Sequence, residues 1–433
     1  MSAHQFLVTD NVVVNLGDAA ILLAMQESLR AEFGPETIMR ACFCAVTREA
    51  GAFADRYPEL TFVPTLWHVV ADGAAPRSVW SSAWRQSARW RFPSQARLAA
   101  RRLPNLLLHP AELDLLRLYR DADAVLVTGG GLLGSSWTGA GHRHLRIAQY
   151  EAALALGKPL VFYAASYGPF RPGDPLPQLL RPVMERAAAV ISRDSISTHV
   201  LRDQIGLRGA NVHETIDEAV LLEPRTPRAD LAPPRTRALR FGLAPHRWPW
   251  GGVADRAERQ RAFEQQMAVV ARSLLERYDA DVILCTSHPR LPDTLHLEED
   301  VPERIVDMLP QELQERAHPV GGFVHPAEYA AIMGGCDVVI SSRLHGAILA
   351  LAGGAPVIAL AYEHKTPGFY EKAGLRDWAL SMGDSSPEEI LAVADTILSD
   401  GLAARERVRE AVARARSIAR QNRQIVARAL AGR

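Results

Sequence analysis

Arg343 and His345 stand two residues apart in the stretch Ser341-Ser342-Arg343-Leu344-His345-Gly346. A guanidinium is a permanent planar cation whose fork matches phosphate and carboxylate. An imidazole can donate or accept a proton near neutrality. The β-branched run Val338 to Ile340 just before them reads as a short buried strand. Residues 345–352 are mostly helix formers with apolar spacing, stopped by Gly353-Gly354 and Pro356. Pro356 to Leu360 then reads as a second buried strand. Strand, helix and strand make a parallel crossover. It puts both residues at a strand's carboxyl end, where open parallel sheets bind ligands and helix N-termini present free N–H groups to anions. Each residue alone fits a local salt bridge or a carbonyl bond equally well. The pair at a strand-to-helix junction points to a site for a small phosphorylated or carboxylated compound. Residues 346–362 carry no charge, but their three glycines and one proline fit a buried helix and strand better than a membrane span.

Other candidates fall at similar junctions. An apolar run, Phe6 to Val14, is interrupted by Thr9-Asp10-Asn11 and leads into Asn15-Leu16-Gly17-Asp18 and a helix from Ala19 to Phe33. Gly17 permits a tight turn and Asp18 suits the helix N-cap. Ala124 to Thr128 is a buried strand running into Gly129-Gly130-Gly131, which lets a ligand or another backbone approach closely. Neither the dinucleotide fingerprint nor a phosphate loop is present there. Ala188 to Ser192 is a further strand with Arg193 at its end, and Asp194 or Ser195 caps the next helix. A plain salt bridge and a ligand contact are both open for Arg193. His246, Arg247 and His288 sit at strand ends of the second half as secondary candidates, each on its own better read as structural.

These junctions need parallel sheets to hold them. The chain has 433 residues, too many for one ordinary core and suited to two domains. Strands alternate with helices in both halves. Residues 223–238 are rich in proline and arginine and read as a linker. The expected division is an N-terminal domain over 1–224, a linker over 225–238, a C-terminal domain over 239–400 and a C-terminal helix over 401–433. The fold class is α/β, with two Rossmann-like domains facing a cleft.

Acidic and basic residues balance at 49 each, so bulk charge points to neither nucleic acid nor membrane. Only three of the basic residues are lysines, which draws the eye to Lys365 beside the Arg343 motif. None of the four cysteines, Cys42, Cys44, Cys285 and Cys336, forms a CxxC pair. They lie in or beside apolar runs, so buried thiols in a reducing compartment are expected and a metal site is not. No basic region followed by a long apolar core opens the chain, so a soluble cytoplasmic protein is expected. One segment stands out. Arg77 to Arg102 holds seven arginines, no acidic residue, and Trp80, Trp84 and Trp90. It suits either a membrane surface or polyanionic acceptor, or a basic helix whose tryptophans pack on their own domain.

Ser342-Arg343-Leu344-His345, the apolar helix, Pro356-Val357-Ile358 and then Tyr362 with Lys365 resemble the C-terminal signature of the polysaccharide pyruvyl transferases. The resemblance covers most of the chain in ordered pieces, with the segment 77–102 outside its pattern. It implies a GT-B-like architecture. It implies that Asn15, Gly17 and Asp18 lie at the domain cleft on the acceptor side, with Asp18 as a base, and that the strand before Gly130 and Gly131 belongs to the family pattern. It implies that Arg193 and Arg343 hold the donor with Lys365. The implied reaction moves a pyruvyl group from phosphoenolpyruvate to a sugar of a polysaccharide or glycolipid precursor, lipid- or nucleotide-linked, and forms a ketal. His345 is either the general acid or a phosphate binder. No metal or redox cofactor and no nucleic acid is required. Peripheral contact with the inner face of the membrane through 77–102 is the expected partner surface. Two other readings remain: a GT-B glycosyltransferase using a nucleotide sugar, and a non-catalytic assembly protein at the membrane.

Overall fold

The computed structural model describes the chain except residues 1–2, 12, 14, 44–53, 73–78, 105–106, 132, 136–139, 232, 248–252, 287–299, 363–364 and 433. Two compact units form. The first holds residues 1–13, 21–218 and 418–433, and the second holds 14–20 and 219–417. Both are α/β with wholly parallel sheets.

In chain order the elements are β1 (Gln5–Asn11), α1 (Leu16–Phe33), β2 (Ile38–Phe43), β3 (Thr61–Pro64), α2 (Leu66–Asp72), α3 (Val79–Ala100), α4 (Pro110–Asp121), β4 (Ala124–Val127), α5 (Ala140–Ala155), β5 (Leu160–Ala165), α6 (Leu176–Arg186), β6 (Ala189–Ser192), α7 (Ser195–Asp203) and β7 (Val212–Glu214). After a 3-10 turn at Glu218–Leu221 come β8 (Leu239–Ala244), α8 (Val253–Arg277), β9 (Ala280–Leu284), α9 (Val301–Asp307), α10 (Gln311–Gln314), β10 (Ala317–Pro319), α11 (Pro326–Gly334), β11 (Val338–Ser341), α12 (Leu344–Ala352), β12 (Val357–Ala361), α13 (Lys365–Ala373), β13 (Ala379–Ser381), α14 (Pro387–Asp400), α15 (Leu402–Ala419) and α16 (Gln421–Ala431).

The first sheet runs β3-β2-β1-β4-β5-β6-β7 and the second β10-β9-β8-β11-β12-β13. In each, the strand order reverses beside the unit's first strand, between β1 and β4 and between β8 and β11. Such a reversal opens a crevice at the strands' carboxyl ends, which is where open α/β sheets take ligands. The central strands β4, β5, β6, β9 and β11 are buried along their whole length. That is why they read as unbroken apolar runs with no alternation.

Helix starts follow the capping chemistry. Asp194 caps α7 by accepting the Ser197 N–H at 2.6 Å. Ser386 and Glu389 form a reciprocal capping box on α14. The expectation for Asp18 is corrected: α1 begins one turn earlier, at Leu16, and Asn15 is the cap. The Asn15 Oδ1 accepts the Asp18 N–H at 2.8 Å, and the Asn15 side-chain amide donates to the Asp18 carboxylate. The mutual bonds of residues three apart hold Gly17 inside the turn, although glycine disfavours helix.

The C-terminal segment is two helices, and α16 returns to the first unit against β5 and β6. Its Asn422 is fully buried; it accepts from Thr215 Oγ1 at 2.6 Å and donates to Glu218 Oε2 at 2.6 Å. Tyr163 donates to the other Glu218 oxygen at 2.9 Å. Burial pushes the Glu218 carboxyl up to about 7, although the hydrogen bonds pull it back. The folded value therefore lies above that of the unfolded chain. The stability this group contributes is complete at acid pH, below the unfolded value, and is lost as pH rises through about 7. Between about pH 5 and about pH 8 the melting temperature should fall. Glu218→Gln, which cannot ionise, should flatten that part of the profile. An unchanged slope in the variant, followed by circular dichroism, would show that Glu218 is not its source.

Candidate active site

The second unit assembles the sequence candidates most tightly. β11 ends at Ser341, and its neighbours β8 and β12 lie on either side with Ser341 level with Ala244 and Ala359. Ser342 donates its hydroxyl and its N–H to the carbonyl of Ala244, at 3.2 and 3.1 Å, which pins the turn to the end of β8. Arg343 then adopts extended backbone angles (φ −121°, ψ 133°) and stands as the N-cap of α12. Its carbonyl accepts from Ser341 Oγ at 2.9 Å and from the Ala347 N–H at 3.0 Å. His345 is the second residue of α12, and both side chains are half-buried. Gly346 must lack a side chain, because a Cβ would meet Tyr329 Oη at 2.8 Å and Ser341 Oγ at 2.9 Å. The start of α12 is thus seated hard against β11 and α11.

A second segment closes on this start. Residues 14–20 belong to the second unit, and Gly17 in the first turn of α1 abuts His345 so closely that a Cβ there would fall inside the imidazole, on Nδ1 and Cγ. Asn15, Gly17 and Asp18 are therefore brought to His345 and Arg343. Asp18 is 7% exposed, with the Asn15 amide on its carboxylate. His246, just beyond β8, is buried and stacks with Tyr362, just beyond β12, at 4.9 Å and a 31° tilt. Lys365 opens α13 three residues after Tyr362. Arg247 is half-buried at the end of β8, and His288 lies outside the described residues.

The charges here run against helix preference. A helix N-terminus carries a partial positive charge and favours an acidic residue or a small polar cap. α12 starts on Arg343 with no side-chain cap bond, and α13 starts on Lys365; neither has an acidic residue in its first turn. Two cations are added to two positive helix ends at adjacent strands, beside the reversal of strand order. That arrangement is suited to binding an anion.

The remaining candidates belong to the first unit. Arg193 is 4% exposed; it pairs with Asp217 and donates to Ser166 Oγ at 2.7 Å. Gly129 packs against the end of β5, where a Cβ would come within 2.8 Å of the Ala164 carbonyl. Gly130 is buried and accepts the Ser166 N–H at 3.4 Å, and Gly131 is half-buried. One residue had escaped the sequence reading. Asp10, at the end of β1 beside the first sheet's reversal, is 2% exposed and has a left-handed backbone (φ 59°). Arg146 approaches its carboxylate at 3.1 Å and the Tyr150 hydroxyl donates to it. Aspartate adopts that backbone more readily than most residues, and these two partners fix its carboxylate. Its only sequence signal was a charge interrupting an apolar run.

Two parallel α/β units with a ligand-type crevice define the class of two-domain Rossmann-like proteins with GT-B-like architecture. The fold agrees with solved structures at low identity. The UDP-GlcNAc 2-epimerase of Neisseria meningitidis aligns with a TM-score of 0.57 at 12% identity, over 99% of this chain and 100% of that one. A glycosyltransferase from Rickettsia africae aligns with a TM-score of 0.55 at 11% identity, over 99% of each chain. At such identity the likeness is one of fold. The polysaccharide pyruvyl transferase family model matches residues 15–364, from the Asn15 cap through the Arg343 motif, and the chain belongs to that family. The amylovoran biosynthesis protein AmsJ of Erwinia amylovora is 26% identical over 314 residues, 70% of each chain.

Gly17→Ala tests the contact that joins the two segments. The substitution favours helix locally, but the methyl overlaps the imidazole down to its Cβ and must displace His345, so the melting temperature should fall modestly. Turnover should fall on the order of a hundredfold, the usual cost of a misplacement of about 1 Å in a site. Wild-type turnover in a folded Gly17→Ala protein would mean that the position of His345 is not critical.

Proposed function

We propose that the protein transfers a pyruvyl group from phosphoenolpyruvate to a sugar of a polysaccharide precursor and closes a ketal across two hydroxyls. The observation that carries this reading is the pair of cation-headed helices, α12 and α13, at adjacent strand ends with His345 among them. Phosphoenolpyruvate bears a phosphate and a carboxylate on one small skeleton. The Arg343 fork and the free N–H groups of α12 suit one anion, and Lys365 at the head of α13 suits the other.

The chemistry follows from the donor's enol phosphate. His345 protonates the methylene carbon, which becomes the ketal methyl group, and the adjacent carbon becomes electrophilic. A first sugar hydroxyl adds to that carbon. Phosphate then leaves, with its departing charge neutralised by Arg343 and Lys365. A second hydroxyl adds in its place. The two hydroxyl protons are accounted for by the new methyl group and by hydrogen phosphate. Asp18, buried beside Gly17 and His345 and oriented by Asn15, is the base for the attacking hydroxyl. The donor site in this reading needs Arg343 and leaves Arg193 in its bond with Asp217. Phosphoenolpyruvate as donor sets the reaction in the cytoplasm.

Phosphate release from phosphoenolpyruvate, measured against a panel of sugar acceptors, tests the reading. Release should depend on the acceptor, vanish in Arg343→Ala and drop about 10²- to 10⁴-fold in His345→Ala. A His345→Ala protein with full turnover would remove His345 as the acid. Absence of release, combined with thermal protection by a nucleotide sugar and none by phosphoenolpyruvate, would replace the reaction with glycosyl transfer.

A further inference from the structure

The arginine-rich helix α3 and its neighbour α4 enclose a groove of about 490 Å³ lined by Arg102, Leu103, Leu113, Leu116, Arg117 and Arg120. Its walls are fixed to each other. Arg91 of α3 and Glu112 of α4 form an ion pair that is 5% and 1% exposed, and Phe92 meets Tyr119 edge-on at 5.9 Å. The floor is leucine and the rim is guanidinium.

The outer side of α3, half a turn round the helix from the groove-lining Ala99, and the link to α4 also combine arginine with exposed apolar residues. Trp90, on the exposed face of α3, is 68% exposed with the Arg89 guanidinium 5.2 Å from its ring centre. Leu103 and Leu107, on the link from α3 to α4, are 49% and 56% exposed. Arg97 and Arg101 lie on that open face of α3, and no acidic residue occurs from Arg77 to Arg102. Arg117 and Arg120 pair with the exposed aspartates Asp114 and Asp121. Such pairs are weak and exchange readily for a phosphate. The side chains of Trp80 and Trp84 lie outside the described residues.

We propose that this α3–α4 face docks on an anionic lipid bilayer, with headgroup phosphates at the arginine rim and Leu103, Leu107 and Trp90 entering the interface. The charge selects an anionic partner. The exposed leucines and tryptophan select one with an apolar phase behind its phosphates, which a nucleic acid or a soluble polyanion lacks. No helix among the described residues is long and apolar enough to cross a membrane, so this contact is peripheral. It stands apart from the identity of the group donor. It would hold the enzyme at a surface where lipid-borne acceptors are presented.

Flotation of the full chain with vesicles tests the proposal without any substrate. Vesicles of phosphatidylcholine alone are compared with phosphatidylcholine carrying about one part in three of phosphatidylglycerol. The protein should float with the anionic vesicles and not with the neutral ones. Arg102→Glu/Arg117→Glu/Arg120→Glu should weaken partitioning at least about tenfold, since each basic residue near such a surface contributes about fivefold. Leu103→Asp/Trp90→Ala should also weaken it about tenfold, while Arg272→Glu on α8, a surface charge elsewhere, should not. Equal flotation with both vesicle types, undiminished binding by either multiple variant, or an equal loss in Arg272→Glu would each overturn it. Undiminished binding in Leu103→Asp/Trp90→Ala alone would assign the face to soluble polyanions. Circular dichroism of each variant confirms that the fold is retained.

Discussion

The approach of Gly17 to His345 sets the geometry of the second unit's site. An imidazole can lie against a helix's first turn only where the helix has no side chain. Asn15 makes that turn stable without one, because it caps α1 while its amide holds the Asp18 carboxylate. On the opposite side Gly346 lets α12 settle onto Tyr329 and Ser341. His345 thus has the backbone of the first turn of α1 against its ring, on a helix start that is itself seated on β11 and α11.

Buried charges are paired in both units, as Glu264 with Arg304 shows in the second. In the first, Arg193 is matched by Asp217, Arg91 by Glu112 and Asp10 by Arg146 and Tyr150. Those charges are balanced within the protein, and they stiffen the framework. In the second, Arg343 and Lys365 head helices whose own ends are already positive. Neither helix has an acidic residue in its first turn. Both helix starts lie at the carboxyl ends of neighbouring strands, beside the reversal of strand order where open parallel sheets take ligands.

Much of this was legible in the residues. The strand over Leu239–Ala244 and the crossover from Val338 to Leu360 were visible because central parallel strands are buried on both faces and leave unbroken apolar runs. The strands Ala317–Pro319 and Ala379–Ser381 were not seen, since three edge residues are too few to show a period. Asp18 was taken for a cap because the apolar spacing begins at Ala19, whereas the side-chain bonds of Asn15 start the helix a turn sooner. Asp10 was passed over because a left-handed backbone at a non-glycine residue leaves no trace in sequence. The closeness of Gly17 to His345, 328 positions apart by their numbering, was not foreseen; the family resemblance implied only that the Asn15–Asp18 segment lies at a cleft. No local rule could supply it.

The inclusion of residues 14–20 in a unit that otherwise begins at Ala219 bears on how such proteins can diversify. The proline-rich stretch after Leu222 looks like a natural joint for gene recombination. A crossover there would bring in a new Arg343–His345 motif while keeping the old Asn15–Ala20 turn. Unless the incoming histidine fitted the resident glycine, the hybrid would fold both sheets and still lose the contact between that histidine and that glycine. The Asn15–Ala20 turn and the Arg343–His345 motif are thus bound to a common inheritance. Variation among relatives is then expected to accumulate by substitution within each half more readily than by exchange of halves.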